Sequence, residues 1–144
     1  MTTVDKLLSI KTKEIWSLAP NDSVFQALEM MADKNVSGLL IVKDEKLVGI
    51  FTERDYARKL ILKGRFSKDT EVCDLMTKNV LYVEPNNTIE DCMKLMTDKR
   101  IRHLPVMDEG TLIGIVTIGD LVKQIISEQE TTIHQLENYI SGSY

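Results

Sequence analysis

The chain has 144 residues, of which 43% are apolar and 28% charged, with a formal net charge of −4. A chain of this size buries the core of one ordinary compact domain, and its acidic balance argues against general nucleic-acid binding, which needs a basic excess. No run of about 18 apolar residues is present, which excludes a membrane-spanning helix, and the N-terminal stretch MTTVDKLLSIKTKE is charged throughout, unlike a signal peptide, so the cytoplasm is the expected address.

In chain order, Val4-Asp5-Lys6-Leu7-Leu8 comes first and is echoed later by Val72-Cys73-Asp74-Leu75-Met76. Ile15 to Leu18 is a short apolar strand. Pro20-Asn21-Asp22-Ser23 is a turn and helix start, and Ser23 with Gln26 fits a capping box. Val24, Ala27, Leu28 and Met31 follow at helical spacing. Gly38 to Val42 is a strand, Asp44-Glu45-Lys46 turns the chain, and Leu47 to Phe51 returns as its hairpin partner. A further helix begins near Thr52 and ends around Gly64, a residue suited to a helix C-terminus. Lys63 to Glu71 is a polar joint, short enough that the parts on either side dock rather than swing.

The second half repeats the first. Shifted by 65 positions, Pro20–Asp55 falls on Pro85–Asp120 without a gap, with eleven of 36 positions identical. Thr88 and Asp91 restate the capping box, and Ile89, Cys92, Met93 and Met96 the helical stripe. Leu104 to Met107, the turn Asp108-Glu109-Gly110 and Leu112 to Val116 restate the hairpin. The earlier echo extends the repeat backwards, with about three extra residues in the first copy. Two such copies form a body of pseudo-two-fold symmetry, whose seam creates clefts. The last helix runs past its counterpart. Leu121, Val122, Ile125 and Ile126 should pack on the body. Ile133, Leu136 and Ile140 make a second stripe, either a dimer seam or a surface that folds back on its own chain. Cys92 matches Ala27 on an apolar helix face and reads as core. Cys73 and Cys92 form no CxxC pair, and His134 falls on the tail, at a surface or an interface.

The chemistry-bearing element is apolar-Gly-apolar-apolar-Thr-x-x-Asp, present as Val48–Asp55 and Ile113–Asp120. One reading is structural: Thr-x-x-Asp after a strand caps a helix wherever it occurs. The other is functional. A helix N-terminus exposes N–H groups suited to a phosphate, a carboxylate one turn in can take both ribose hydroxyls, and Ile50 and Ile115 offer a dry surface for a planar base. Together these describe a nucleotide site. There is no GxSxG, HExxH or P-loop, and two His with two Cys assemble no metal site. No catalytic role is assigned, and Asp55 and Asp120 are equivalent positions of a repeat rather than a catalytic pair.

Both copies resemble the CBS motif, on the Pro-x-x-Ser/Thr-apolar helix start, the central strand and the Gly-x-x-Thr-x-x-Asp end. The resemblance covers about residues 4 to 130 and implies an α+β fold of two tandem β-α-β-β-α motifs. These are placed at 4–64 and 72–127, with a linker at 65–71 and a helical tail at 128–144. It implies a regulatory module without catalytic cofactor that binds AMP, ADP, ATP, NAD or S-adenosylmethionine between the motifs. Asp55 and Asp120 would hold ribose, Thr52 and Thr117 the ribose-phosphate region, and Ile50 and Ile115 the nucleoside. Lys99 and Arg100, with His103 nearby, would reach phosphates. The family's strand proline is present at Pro105 but is Leu40 in copy one. Charge near a phosphate at the copy-one site would have to come from Lys34, Arg54 or the other copy. Two unequal sites are expected, with the one around Asp120 preferring more phosphate. A homodimer and an unidentified regulated protein are the expected partners. The alternative is an oligomerisation or interaction scaffold with no nucleotide ligand.

Overall fold

The computed structural model describes residues 2–11 and 14–142. Each copy places a helix against a small sheet. In copy one, α2 (Val24–Lys34) is started by a complete Ser23–Gln26 capping box. It precedes the antiparallel hairpin of β2 (Gly38–Lys43) and β3 (Lys46–Thr52), and the two-residue β1 (Ser17–Leu18) adds in parallel to β2. In copy two, α5 (Ile89–Lys99) starts from the Thr88–Asp91 box and precedes the hairpin of β4 (His103–Asp108) and β5 (Thr111–Thr117). The expected first strand of copy two is reduced to one parallel bridge, Val83 to Val106. Both hairpins turn through two residues of positive φ, Asp44 and Glu45 in one, Glu109 and Gly110 in the other, which matches the strand twist. Both carry a bulge at the same place, between Ile41 and Val42 and between Val106 and Met107.

The copies exchange their first helices. α1 (Val4–Ile10) buries Val4 and Leu7 in the core of copy two, among Ile89, Cys92, Leu104, Val116 and Leu121. α4 (Val72–Leu75) buries Val72 and Leu75 in the core of copy one, among Val24, Leu39, Ile41, Phe51 and Leu60. The backbone fastens both in matching fashion. Val4 and Asp5 N–H donate to the carbonyls of Asn87 and Pro85, and Val72 and Cys73 N–H to those of Asp22 and Pro20. Thus the segments that precede each repeat complete the opposite half, and the short joint at 65–71 is spanned by packed structure on both sides. Cys92 is fully buried and its thiol is pushed up to about 11 by burial, in keeping with a core role.

The last helix of each copy follows its Thr-x-x-Asp element. α3 (Glu53–Asp55) continues through a π-helical turn, Tyr56–Leu60, and a 3₁₀ turn, Ile61–Lys63, to Gly64 at φ 68°. Its counterpart α6 (Ile118–Ser141) is one unbroken helix of 24 residues. Only part of the packing expected for α6 is present. Leu121 is buried and Ile125 packs on the core, but Val122 and Ile126 are exposed. Ile133, Leu136 and Ile140 are 55%, 56% and 83% exposed, so this stripe does not fold back on its own chain. A straight helix leaving the body simply carries its later turns beyond reach.

Candidate functional site

The principal cleft, about 1050 Å³, lies on the seam between the copies. Copy one contributes Ile50, Thr52 and Asp55, together with Arg54, Arg58 and Lys59 from the helical turns that follow. Copy two contributes Lys99 and Arg100 from the end of α5, Arg102 and His103 at the start of β4, and Ile118 at the start of α6. Asn79, Val80 and Leu81 close one side. Two polar contacts cross the seam here. Arg54 Nη1 donates to the Arg100 carbonyl at 2.8 Å, and Ser37 Oγ lies 3.0 Å from His103 Nε2.

Of the nine residues singled out in the sequence, six therefore meet in this one cleft: Ile50, Thr52, Asp55, Lys99, Arg100 and His103. Thr117, Asp120 and Ile115 do not line it. The basic residues expected beside Asp120, namely Lys99 and Arg100, with His103, thus line the cleft of Asp55 instead. Pseudo-two-fold symmetry sets the strand end of one copy against the α5–β4 junction of the other, so the bases of copy two lie beside Asp55. Arg58 and Lys59 were not among the expected contacts. Their signal in the sequence is weak, because charges on a helix after a strand are ordinarily a solvated face.

The carboxylate of Asp55 is fully engaged. Its Oδ2 accepts from Thr52 N–H at 3.0 Å and from Thr52 Oγ1 at 3.2 Å. Its Oδ1 lies 3.0 Å from Lys59 Nζ and accepts from Thr77 Oγ1 at 3.3 Å. A sugar hydroxyl reaches it only by displacing Lys59 or Thr77. Lys59, whose side chain is 43% exposed against 9% for Asp55, also donates to the Leu75 carbonyl at 2.9 Å. Most of the N–H cradle expected at the helix start is already engaged. Thr52 N–H is taken by Asp55, Glu53 N–H by the Ser37 carbonyl and Asp55 N–H by Thr52 Oγ1. Copy two repeats this, with Ile118 N–H donating to the Arg102 carbonyl. Side-chain cations are therefore the main means of holding an anion here.

Those cations are numerous. Arg54, Arg58, Lys59, Lys99, Arg100 and Arg102 face only Glu53 and Asp55 among the acids of the cleft, in a protein whose net charge is −4. Such a local inversion of sign focuses an attractive field on an anionic ligand. Arg100 is held there in a left-handed backbone conformation, φ 55°, at the C-cap of α5, one that a long side chain seldom takes. The equivalent residue of copy one is Asn35, φ 54°, a residue suited to it. His103 is half-buried, and an added β-carbon on Gly38 would come within 2.9 Å of its ring. Burial, aided by the Arg102 charge and opposed by Asp120, holds its pKa below the usual histidine range. Lys34, a candidate source of charge for copy one, is spent elsewhere. Its ammonium sits 4.4 Å from the Trp16 ring centroid and 3.3 Å from Asp33. Among the described residues no cluster of three or more His, Cys, Asp or Glu is placed to hold a metal, and no helix is long and apolar enough to cross a membrane.

The comparisons agree with the repeat. The CBS domain profile matches residues 7–62 and again 72–127. The chain is 39% identical over 153 residues to the mitochondrial CBS domain-containing protein CBSX3 of Arabidopsis thaliana, covering 99% of this chain and 74% of that protein. A solved protein with CBS domains from Burkholderia ambifaria is 48% identical, with a TM-score of 0.87 over 89% of this chain and 96% of its own. The CBS domain pair of protein MJ0100, solved in complex with 5′-methylthioadenosine and S-adenosyl-L-methionine, is 26% identical, with a TM-score of 0.76 over 88% of this chain and 98% of its own.

Proposed function

Because this chain belongs to the CBS-domain family, as a tandem pair that makes a regulatory module, we propose that it senses a phosphorylated adenosine ligand in the cleft beside Asp55. The single observation that carries the reading is the union of opposite halves in that cleft. An apolar floor at Ile50 and a Thr52–Asp55 carboxylate come from one copy, and a basic cluster around Lys99, Arg100 and Arg102 from the other. The bound adenosyl compounds of the MJ0100 pair support the nucleoside part. The excess of cations favours AMP, ADP or ATP over the less anionic members of the expected set. A ligand that touches both copies biases their relative packing by as much as its affinity differs between the two arrangements, which is the means of regulation. No catalytic step forms part of this reading, which keeps a cytoplasmic address.

The test is titration calorimetry with AMP, ADP, ATP, NAD and S-adenosylmethionine. The expected order places the nucleoside phosphates ahead of S-adenosylmethionine, with affinity falling as salt rises. Absence of heat and of a thermal shift with all five leaves the scaffold alternative in its place.

The homodimer belongs to the same proposal and has an observation of its own. Val122, Ile126, Gln129, Ile133, Leu136 and Ile140 fall alternately four and three residues apart along α6, and all six are exposed. That is the heptad spacing of a coiled-coil seam, and a second copy of the same helix is the partner it fits. Ile133→Glu with Leu136→Glu should leave a monomer at micromolar concentration by light scattering. A dimer that survives both changes places the contact elsewhere.

A further inference from the structure

We infer that Lys11 closes the second, pseudo-symmetric nucleotide position around Asp120, so that each chain takes one ligand rather than two. The inference rests on the proposed role of the Thr-x-x-Asp carboxylates and adds what decides which of them is available. Lys11 Nζ lies 2.6 Å from Asp120 Oδ2 and donates to the Ile115 carbonyl at 2.8 Å. It thereby bridges the carboxylate meant for sugar hydroxyls and the strand residue meant to lie against the nucleoside, the two fixed points of a nucleoside at this position.

The first helices explain why only one position is blocked. Up to their second turn they match: Leu8 packs against Gly114 as Met76 packs against Gly49. Then they part. α4 stops at Leu75, and Thr77 crosses to Ile50 in a two-bond bridge, its N–H donating at 2.9 Å and its carbonyl accepting at 3.0 Å. α1 continues to Ile10, and Lys11 N–H still donates to the Leu7 carbonyl at 3.2 Å. The additional length of the first copy delivers a lysine where the second copy, counted from the helix start, delivers Asn79 at the rim of the open cleft.

The lysine at Asp55 does not act in this way. Lys59 is on the same helix as its acid, four residues on, is 43% exposed, and makes its second bond to the Leu75 carbonyl at 2.9 Å rather than to Ile50, whereas the Lys11 side chain is 23% exposed and joins Asp120 to Ile115 itself. The Asp120 position also lacks the basic cluster, which faces Asp55.

The full chain, with Lys11→Met beside it, is titrated calorimetrically with AMP and separately with ATP, folding being checked by circular dichroism. One equivalent in the unaltered chain and two in Lys11→Met is the expected result. Adding Asp120→Ala to Lys11→Met should remove the gained equivalent, and Lys11→Arg should keep the position closed. Should Lys11→Met fold poorly, Lys11→Gln keeps a polar side chain without the charge and is read in the same way. Two equivalents in the unaltered chain, or the same stoichiometry with and without Lys11, overturns the inference. No binding in the unaltered chain with one equivalent in Lys11→Met would uphold the role of Lys11 while removing the proposed ligand from the Asp55 cleft.

Discussion

Asp55 and Asp120 stand at equivalent positions of a repeated element, each three residues after a threonine whose N–H it accepts, at 3.0 Å and 2.9 Å. Their surroundings differ almost completely. Asp55 lies on a cleft of about 1050 Å³ lined by cations from the other copy, whereas Asp120 meets a lysine from the N-terminal arm. Local sequence sets the cap, because the hydroxyl, the carboxylate and the N–H groups they bind lie within four consecutive residues. What faces the cap comes from the opposite half of the chain. A duplicated motif is therefore a duplicated helix start, and what surrounds it is supplied by distant parts of the chain.

The largest effect should show the two halves to be alike in their cores. Leu39 and Leu104 are equivalent and both fully buried. Leu39→Ala and Leu104→Ala should each cost about 2–5 kcal/mol in urea unfolding. A difference of more than about 2 kcal/mol between them would make the cores unequal as well as the clefts.

Next in size is the charge that distinguishes the clefts. Arg100→Asn places the residue of copy one in the left-handed position of copy two. Loss of one charge-assisted contact should weaken ATP binding by about 1.5–3 kcal/mol, with little change in melting temperature because Asn suits that backbone. Unaltered ATP affinity would show that Arg100 does not touch the ligand.

Asp55→Ala should lower stability by about 0.5–2 kcal/mol through the lost cap and remove ATP binding as well. A purely structural role predicts the first effect without the second, so melting with and without ATP separates them.

The smallest effect concerns pH. Burial favours the neutral imidazole of His103 in the folded chain. The unfolded chain therefore binds more protons than the native one as pH falls below about 6.5. The stabilisation is complete above that pH and is lost as pH falls toward the lower, folded value. Denaturant midpoints from pH 7.5 to 5 should drop less in His103→Gln than in the unaltered chain, and identical slopes would assign the pH response to other groups.

Much of the architecture was legible because it is local. The capping boxes at Ser23 and Thr88, the paired hairpins and the left-handed Gly64 depend on residues within a few positions of one another. The exchange of α1 and α4 was not legible. Buried faces at Val4 and Leu7 state that a helix needs an apolar partner, and both cores offer a similar one. The exposure of Ile133 and Leu136 was equally open, since a stripe records a demand for burial and not what meets it.

The sequence by itself determined the repeat, the elements within each copy and the carboxylates that begin the last helices, because hydrogen bonds between near neighbours and side-chain periodicity decide these. Only the tertiary structure decided that the bases of copy two belong to Asp55 and that Lys11 belongs to Asp120. Those pairings join residues 45 and 109 positions apart. The seam between the halves brings them together, and no spacing along the chain encodes such a distance in space.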